Sequence, residues 1–310
     1  MIMKIEDLKD GTKVDLICLV SNVTKGVSNN NSQYLNVTLQ DSTGTIEAKK
    51  WDATEDDINL FKIRNIVHIL GESNMYRNNL QLKIISAETI EDYNASDFVM
   101  SAPVEVKTLE NELHEYLNMI KDKDVKAIVE ELINKNYGDY LKHPAATRNH
   151  HEYCSGLLYH SISVTKLVVT LADIYKDLDK DILIGGALIH DLGKIKELSG
   201  PIIPTYTTEG KLIGHISIMQ AEIKEAADKL NIKGEVPMLL EHMILAHHGK
   251  KEFGSPVLPM TREALVLSIA DDLDAKMNIL EKAYKDTNEG EFTNRIYPLE
   301  DRAFYKPKKR

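Results

Sequence analysis

An ordered series of histidines and aspartates, each at the edge of an apolar stretch, constrains this chain more than any other feature. His160 lies in Gly156-Leu157-Leu158-Tyr159-His160-Ser161. Leu157, His160, Val164, Leu167 and Leu171 recur at three-to-four spacing, which predicts a helix with His160 on its apolar face. His190-Asp191 closes the apolar run from Ile182 to Ile189. His215 opens a predicted helix over 216–230, His247-His248 ends one that starts at Val236, and Asp271 sits inside another, within Leu267 to Asp274. One histidine on an apolar face is ordinarily a satisfied core group. His190-Asp191 alone is also accounted for by a buried hydrogen bond at a helix end. The whole series on successive helices favours a divalent cation, since imidazole nitrogen and carboxylate oxygen both suit Zn, Mn, Fe or Co. Gly193 is expected to stop the helix after the pair. Lys194 then lies just past it, placed to meet an anionic substrate.

A length of 310 residues suggests two domains. Cys18 and Cys154 are far apart, match no paired-cysteine motif and read as free thiols of a reducing compartment. Met1 to Asp7 carries acids where a signal peptide needs an apolar run, and no apolar segment approaches bilayer length. A cytoplasmic location without a membrane partner is therefore expected. The net charge of −10 argues against a general nucleic-acid coat protein. A nucleic-acid enzyme stays open, because bound cations and local basic strips outweigh a global sum.

Residues 1–92 read as β. Strands are predicted at 14–20, 34–40, 45–51, 66–71 and 80–85, with a helix-compatible stretch from Thr54 to Leu60. Five strands with a small helix between the third and fourth form the layout of a Greek-key OB barrel. The run from Tyr34 through Lys49 is similar to the second and third strands of OB-fold nucleic-acid binders. That resemblance implies single-strand contacts at Tyr34, Lys49, Trp51, Tyr76 and Arg77. The competing expectation is structural, with Trp51 plugging the barrel and Tyr34 in its core. Acidic side chains outnumber basic ones in this part, so the module is not basic.

Residues 93–150 form a linker and a helical lead-in, with Pro103 at the boundary and core stripes at Leu109, Leu113, Tyr116 and Ile120 and then Val125 to Ile133. Arg148-Asn149-His150-His151 is a polar cluster before the histidine series. Residues 151–290 carry the series. Between Asp191 and His215, Pro201 to Leu212 is expected to form a hairpin with a turn at Glu209-Gly210, leaning over the site with Tyr206 and Lys211 as substrate contacts. Residues 291–310 read as a tail ending in Tyr305-Lys306-Pro307-Lys308-Lys309-Arg310, a basic run able to touch a nucleic-acid backbone.

The histidine series resembles that of the HD-domain metal-dependent phosphohydrolases, in the version that holds two cations. The resemblance implies an all-α HD domain after the OB-type barrel. It implies His160, His190, Asp191 and Asp271 on a first cation, Asp191 as the bridge, and His215, His247 and His248 on a second. Asp272 and Asp274 stand as alternatives to Asp271, and ligation by both His247 and His248 stays open. Two cations about 3.5–4 Å apart need such a bridge, and they activate water to attack phosphorus in line. Lys194 would stabilise developing charge, and Arg148, His150 and His151 would hold phosphates or protonate the leaving oxygen.

An OB-type module before such a domain resembles the YhaM family of bacterial 3'-5' exoribonucleases. The Arg148-Asn149-His150-His151, His190-Asp191-Leu192-Gly193-Lys194, Gly214-His215-Ile216 and Ala246-His247-His248-Gly249 motifs carry that likeness. What it implies is release of nucleotides from the 3' end of single-stranded RNA, with DNA as a further substrate. The implied cofactor is two divalent ions, manganese first, with cobalt, iron, zinc or nickel as alternatives. Assembly into a dimer or ring is one way for an acidic enzyme to enclose a strand. Two rival expectations are a phosphohydrolase of a signalling nucleotide and a single-strand binder with a structural HD domain. Against the first, no Gly-Tyr-Pro element follows Gly249.

Overall fold

The computed structural model describes residues 3–28, 30–76, 79–91, 95–99, 102–146, 153–200 and 202–309. Two compact units divide the chain, Met1–Ser101 and Ala102–Arg310.

The first unit is built from β1 (Lys13–Val27), β2 (Gln33–Asp41), β3 (Gly44–Lys50), α1 (Glu55–Leu60), β4 (Ile66–Tyr76) and β5 (Asn79–Thr89). The strands close into a barrel in the order β1-β2-β3-β5-β4. Closure depends on β1, which pairs with β4 through Lys13 to Leu19 and with β2 through Leu19 to Val27. A bulge between Val20 and Asn22 turns the strand from one partner to the other. β3 and β5 pair in parallel through Glu47–Lys49 and Gln81–Lys83. This is the OB arrangement expected from the strand pattern. Strict alternation in β2 turns Leu35, Val37 and Leu39 inward, so Tyr34 faces outward rather than into the core. Thr54 and Asp57 form a capping box that starts α1. The helix then delivers Phe61 into the barrel core. Trp51 is 42% exposed, so Phe61 fills the interior that Trp51 was a candidate to plug.

The second unit is helical: α2 (Val106–Met119), α3 (Lys123–Tyr140), α4 (Gly156–Ile174), α5 (Lys180–Ile189), α6 (Lys194–Glu197), α7 (Thr208–Leu212), α8 (His215–Lys229), α9 (Glu235–Ala246) and α10 (Arg262–Lys285). Every residue of α5 from Ile182 to Ile189 is buried. Its two glycines are there for packing. A methyl group on Gly185 would press on Val125 and Val129 of α3, and one on Gly186 would strike Met243 of α9. Contrary to the expectation that no apolar segment approaches bilayer length, α4 is long and apolar enough to cross a membrane, but half of that window is buried inside this unit.

Three further expectations change. Gly193 does not terminate a helix in the left-handed region: it has φ −60° and ψ −18° and leads directly into α6. Glycine is needed because a Cβ would run into the main-chain oxygen of His215. Pro201 to Leu212 is not a full hairpin. Leu198 and Tyr206 form one antiparallel bridge, and Glu209-Gly210 lies inside α7, started by Thr207 accepting from the Gly210 N–H. The C-terminal stretch is not loose, since Phe292 bridges to Tyr305 and Ile296 to Arg302. The Lys306 ammonium donates to the carbonyls of Tyr284 and Thr287, which takes it out of the solvated basic run.

Candidate metal centre

Five histidines and two aspartates from α4, α8, α10 and the segments after α5 and α9 converge in the helical unit. His160 comes from α4, His190 and Asp191 from just after α5, and His215 from the first position of α8. His247 and His248 follow α9, and Asp271 lies midway along α10. His160, His190, Asp191 and His247 are buried almost completely. Two groups of ligand atoms result: His160, His190 and Asp191, and then Asp191, His215, His247 and His248, each within 4.8 Å. Asp191 belongs to both.

The carboxylate of Asp191 is divided between them. Its Oδ2 lies 3.5 Å from Nε2 of both His160 and His190. Its Oδ1 lies 3.4 Å from Nε2 of His215 and 3.6 Å from Nε2 of His247. Asp271 Oδ1 adds to the first group, 3.1 Å from His160 Nε2 and 3.7 Å from His190 Nε2. Of the three aspartates that sequence left as alternatives, Asp271 alone faces these Nε2 atoms among the described contacts. Asp272 turns to solvent and pairs with Lys276 at 2.6 Å. Asp274 stands behind His160, its Oδ2 2.7 Å from Nδ1.

Each imidazole is oriented through Nδ1. His190 donates to the carbonyl of Ala187 at 2.8 Å, His247 to Ile244 at 2.7 Å, and His248 to Phe253 at 2.7 Å. His160 donates to Asp274 and His215 to Glu197 Oε1 at 3.0 Å. An Nδ1–H so engaged leaves the Nε2 lone pair of a neutral ring for a cation. Asp191 Oδ1, His215 Nε2 and His247 Nε2 are buried with no hydrogen-bond partner. Orphaned acceptors of this kind carry a desolvation cost that a cation removes. The donor set therefore fits a divalent ion.

The electrostatics agree. Burial pushes the Asp191 carboxyl up, but Lys194 and His190 beside it hold it well below the usual carboxylate range. Burial likewise raises Asp271, and hydrogen bonds from His160 and His190 overcome it. Burial opposes a proton on His160, yet Asp271 and Asp274 outweigh that and raise it from 6.5 to about 10. Burial and the neighbouring His247 push His248 down to about 4.

Lys194 is buried, and its ammonium donates to Asp191 Oδ2 at 2.7 Å. Tyr206 and Lys211 are exposed on the segment that leads to His215. Arg77, Arg148, His150 and His151 lie outside the described residues. On the barrel, Tyr34 and Trp51 sit 5.1 Å apart at 43°, with the Lys49 ammonium 5.2 and 5.1 Å from their ring centroids. Gly26 opposite Tyr34 leaves room for the ring, since a Cβ there would overlap it. The structure adds Glu197 to the site, and no spacing rule reveals it: it reaches a histidine eighteen residues later across a turn and a short helix.

Comparison with known proteins agrees with both units. Residues 157–276 match the HD domain family. That match and the His/Asp cluster together suggest divalent metal binding. Over 300 residues the chain is 44% identical to the 3'-5' exoribonuclease YhaM of Geobacillus sp. (strain WCH70), covering 96% of this chain and 93% of that protein. It is 42% identical to the 3'-5' exoribonuclease YhaM of Bacillus subtilis (strain 168), covering 96% of each. The second OB-fold domain of replication protein A from Methanococcus maripaludis aligns with 30% of this chain and 99% of its own, at 19% identity and a TM-score of 0.26. The barrel assignment rests on strand order rather than on that likeness. The match to these relatives covers nearly the whole chain, and the chain belongs to the YhaM family of 3'-5' exoribonucleases.

Proposed function

We propose that this chain is a metal-dependent 3'-5' exoribonuclease that removes nucleotides from single-stranded RNA in the cytoplasm, and accepts single-stranded DNA as well. The observation that carries the two-cation form of this proposal is the division of one carboxylate, Asp191, between two groups of imidazoles. His160, His190, Asp191 and Asp271 hold one ion, and Asp191, His215, His247 and His248 hold the other. A donor set of nitrogen and carboxylate oxygen suits manganese, with cobalt, iron, zinc or nickel as alternatives. When bound, the pair supplies positive charge to a phosphoryl group and acidifies water.

The chain's own groups do the rest. The Nδ1 partners hold five imidazoles in fixed rotamers, so the site needs little reorganisation during reaction. Lys194 keeps Asp191 ionised and oriented. The buried, largely apolar surroundings keep bulk water from screening these charges. On the barrel, Tyr34, Trp51 and Lys49 offer ring faces and one ammonium, the combination that holds single strands without reading sequence. Tethering such a surface to the nuclease raises the local concentration of strand.

Incubation of 5'-labelled single-stranded RNA with the protein and manganese should give a ladder shortened from the 3' end. Intact RNA, with hydrolysis of a free nucleotide instead, would refute the exonuclease assignment. Trp51→Ala in a catalytically silent Asp191→Asn background should weaken RNA binding by about 5- to 150-fold, the effect of about 1–3 kcal/mol per stacked base. Fluorescence anisotropy measures it, and unchanged affinity removes the barrel surface from the substrate path.

Loading should depend on pH. The folded His160 value lies above the ordinary one, so the metal-free protein keeps this imidazolium to about pH 10. The stability it contributes is complete below 6.5 and is lost as pH rises through about 10. A cation has to displace that proton, so affinity rises with pH and loading releases protons. Calorimetric titration with manganese in buffers of different ionisation enthalpy reads the release; a buffer-independent heat contradicts it.

A further inference from the structure

The five imidazoles are oriented in two different ways. His190, His247 and His248 donate Nδ1–H to main-chain carbonyls, those of Ala187, Ile244 and Phe253. The first two acceptors lie three residues back, in the last turns of α5 and α9, and the Ile244 carbonyl also takes the His247 main-chain N–H at 3.5 Å. The helix itself therefore sets those rings. His160 and His215 instead lean on side-chain carboxylates, Asp274 at 2.7 Å and Glu197 at 3.0 Å. One such histidine falls in each group of ligand atoms.

Both carboxylates are held in place. Glu197 is buried, and its Oε1 accepts from the main-chain N–H of His215 at 3.1 Å as well as from Nδ1. Gly210 of α7 lies against the Glu197 main chain, closer than any residue with a Cβ could come. Thr207 Oγ1 donates to the carbonyl of Lys196 at 2.7 Å, which fixes the same segment. Asp274 is one turn of α10 beyond Asp271, so a single helix supplies both the carboxylate facing His160 Nε2 and the one behind Nδ1.

A side-chain carboxylate does more than a carbonyl. It fixes the ring and also carries a full negative charge, which raises the basicity of the Nε2 facing the cation. We infer that Glu197 and Asp274 are positioning residues that govern the two cations separately, Asp274 the one at His160 and Glu197 the one at His215. The inference rests on the two-cation reading given above. Neither carboxylate faces the space between the Nε2 atoms, so neither is a ligand. Each acts through its histidine.

Manganese binding tests this without reference to turnover. Wild-type protein should take up two manganese ions by calorimetry and show the exchange-coupled paramagnetic resonance signal of a pair. Glu197→Ala should weaken one ion by about 10- to 100-fold, the usual effect of losing a partner behind a ligating histidine. The remaining ion should give the six-line signal of isolated manganese. Its retained tight binding also shows that the unit has folded. Glu197→Gln keeps an acceptor for Nδ1–H and should recover part of the loss. Asp274→Ala should produce the same half-loaded state from the other side. Glu197→Ala should be silent in a His215→Ala background and fully expressed in a His160→Ala background. Two ions weakened equally by either variant, or no change in either, would overturn the inference. A wild-type protein that binds one ion overturns the two-cation reading and the inference with it, a result distinct from the others.

Discussion

Asp191→Asn protein is expected to bind single-stranded RNA with unchanged affinity and to release no nucleotides from it. Among the described residues, Asp191 is the one whose two oxygens face both groups of imidazoles. An amide offers one acceptor oxygen in place of two and adds a donor toward rings whose lone pairs point inward. Both cations should weaken together, and turnover should fall by more than about 100- to 1,000-fold, the loss seen when one preorganised electrostatic group is removed. Asp191→Ala should be worse folded as well. It leaves the buried Lys194 ammonium without its carboxylate, and stranding one member of a buried pair costs about 3–5 kcal/mol. Single-turnover assays with labelled RNA, thermal melts and manganese titration separate these effects. Wild-type turnover by Asp191→Asn would show that the reaction does not pass through this centre.

Gly193→Ala should inactivate the protein through backbone displacement, without replacing any ligand side chain. The added methyl would drive into the carbonyl oxygen of His215. Main chain cannot swing aside as a flexible side chain can, so α6 and the start of α8 must separate. The strain should cost about 1–3 kcal/mol. The larger consequence is for His215, whose ring is carried on the displaced segment. A shift of about 1 Å at a reacting centre can cost about 100-fold in rate. Gly138→Ala is the matched control. Gly138 lies within α3 with open space around its Cβ position. Alanine there should stabilise the fold by about 0.5–1 kcal/mol through helix propensity and leave turnover unchanged. Equal behaviour of the two variants would mean that the close approach at Gly193 has no functional weight.

The contrast between these glycines shows how far sequence alone reaches. Gly193 after His190-Asp191 looks like a helix stop, because glycine after an apolar helical run commonly adopts the left-handed conformation. Its φ of −60° shows an ordinary helical residue. What it provides is room for another chain segment, and room is a property of tertiary packing. Lys194 makes the same point. Its place after the pair suggests a substrate contact, and only the fold shows that its ammonium also lies 2.7 Å from Asp191. Phe61 rather than Trp51 occupies the barrel core, because α1 directs it inward.

The barrel was legible because alternation in β2 and the turns around it reflect a local rule: successive side chains point to opposite faces. The helical unit and its histidines were legible for the equivalent reason. Apolar residues at three-to-four spacing mark a buried face, and a histidine on that face is buried with it. Periodicity thus determined by itself which residues enter the interior and that so many ligand types share it. It did not determine which atoms meet there. Asp271, Asp272 and Asp274 sit within one turn of one helix, and only the packing of α4 against α10 sorts them. One faces Nε2 of His160, one faces Nδ1, and one turns to Lys276. The division of Asp191 between two sets of imidazoles, and the reach of Glu197 to His215, likewise arise from segments brought together by folding. A repeat along one strand or helix fixes a direction, whereas a site is fixed by distances between elements far apart in the chain.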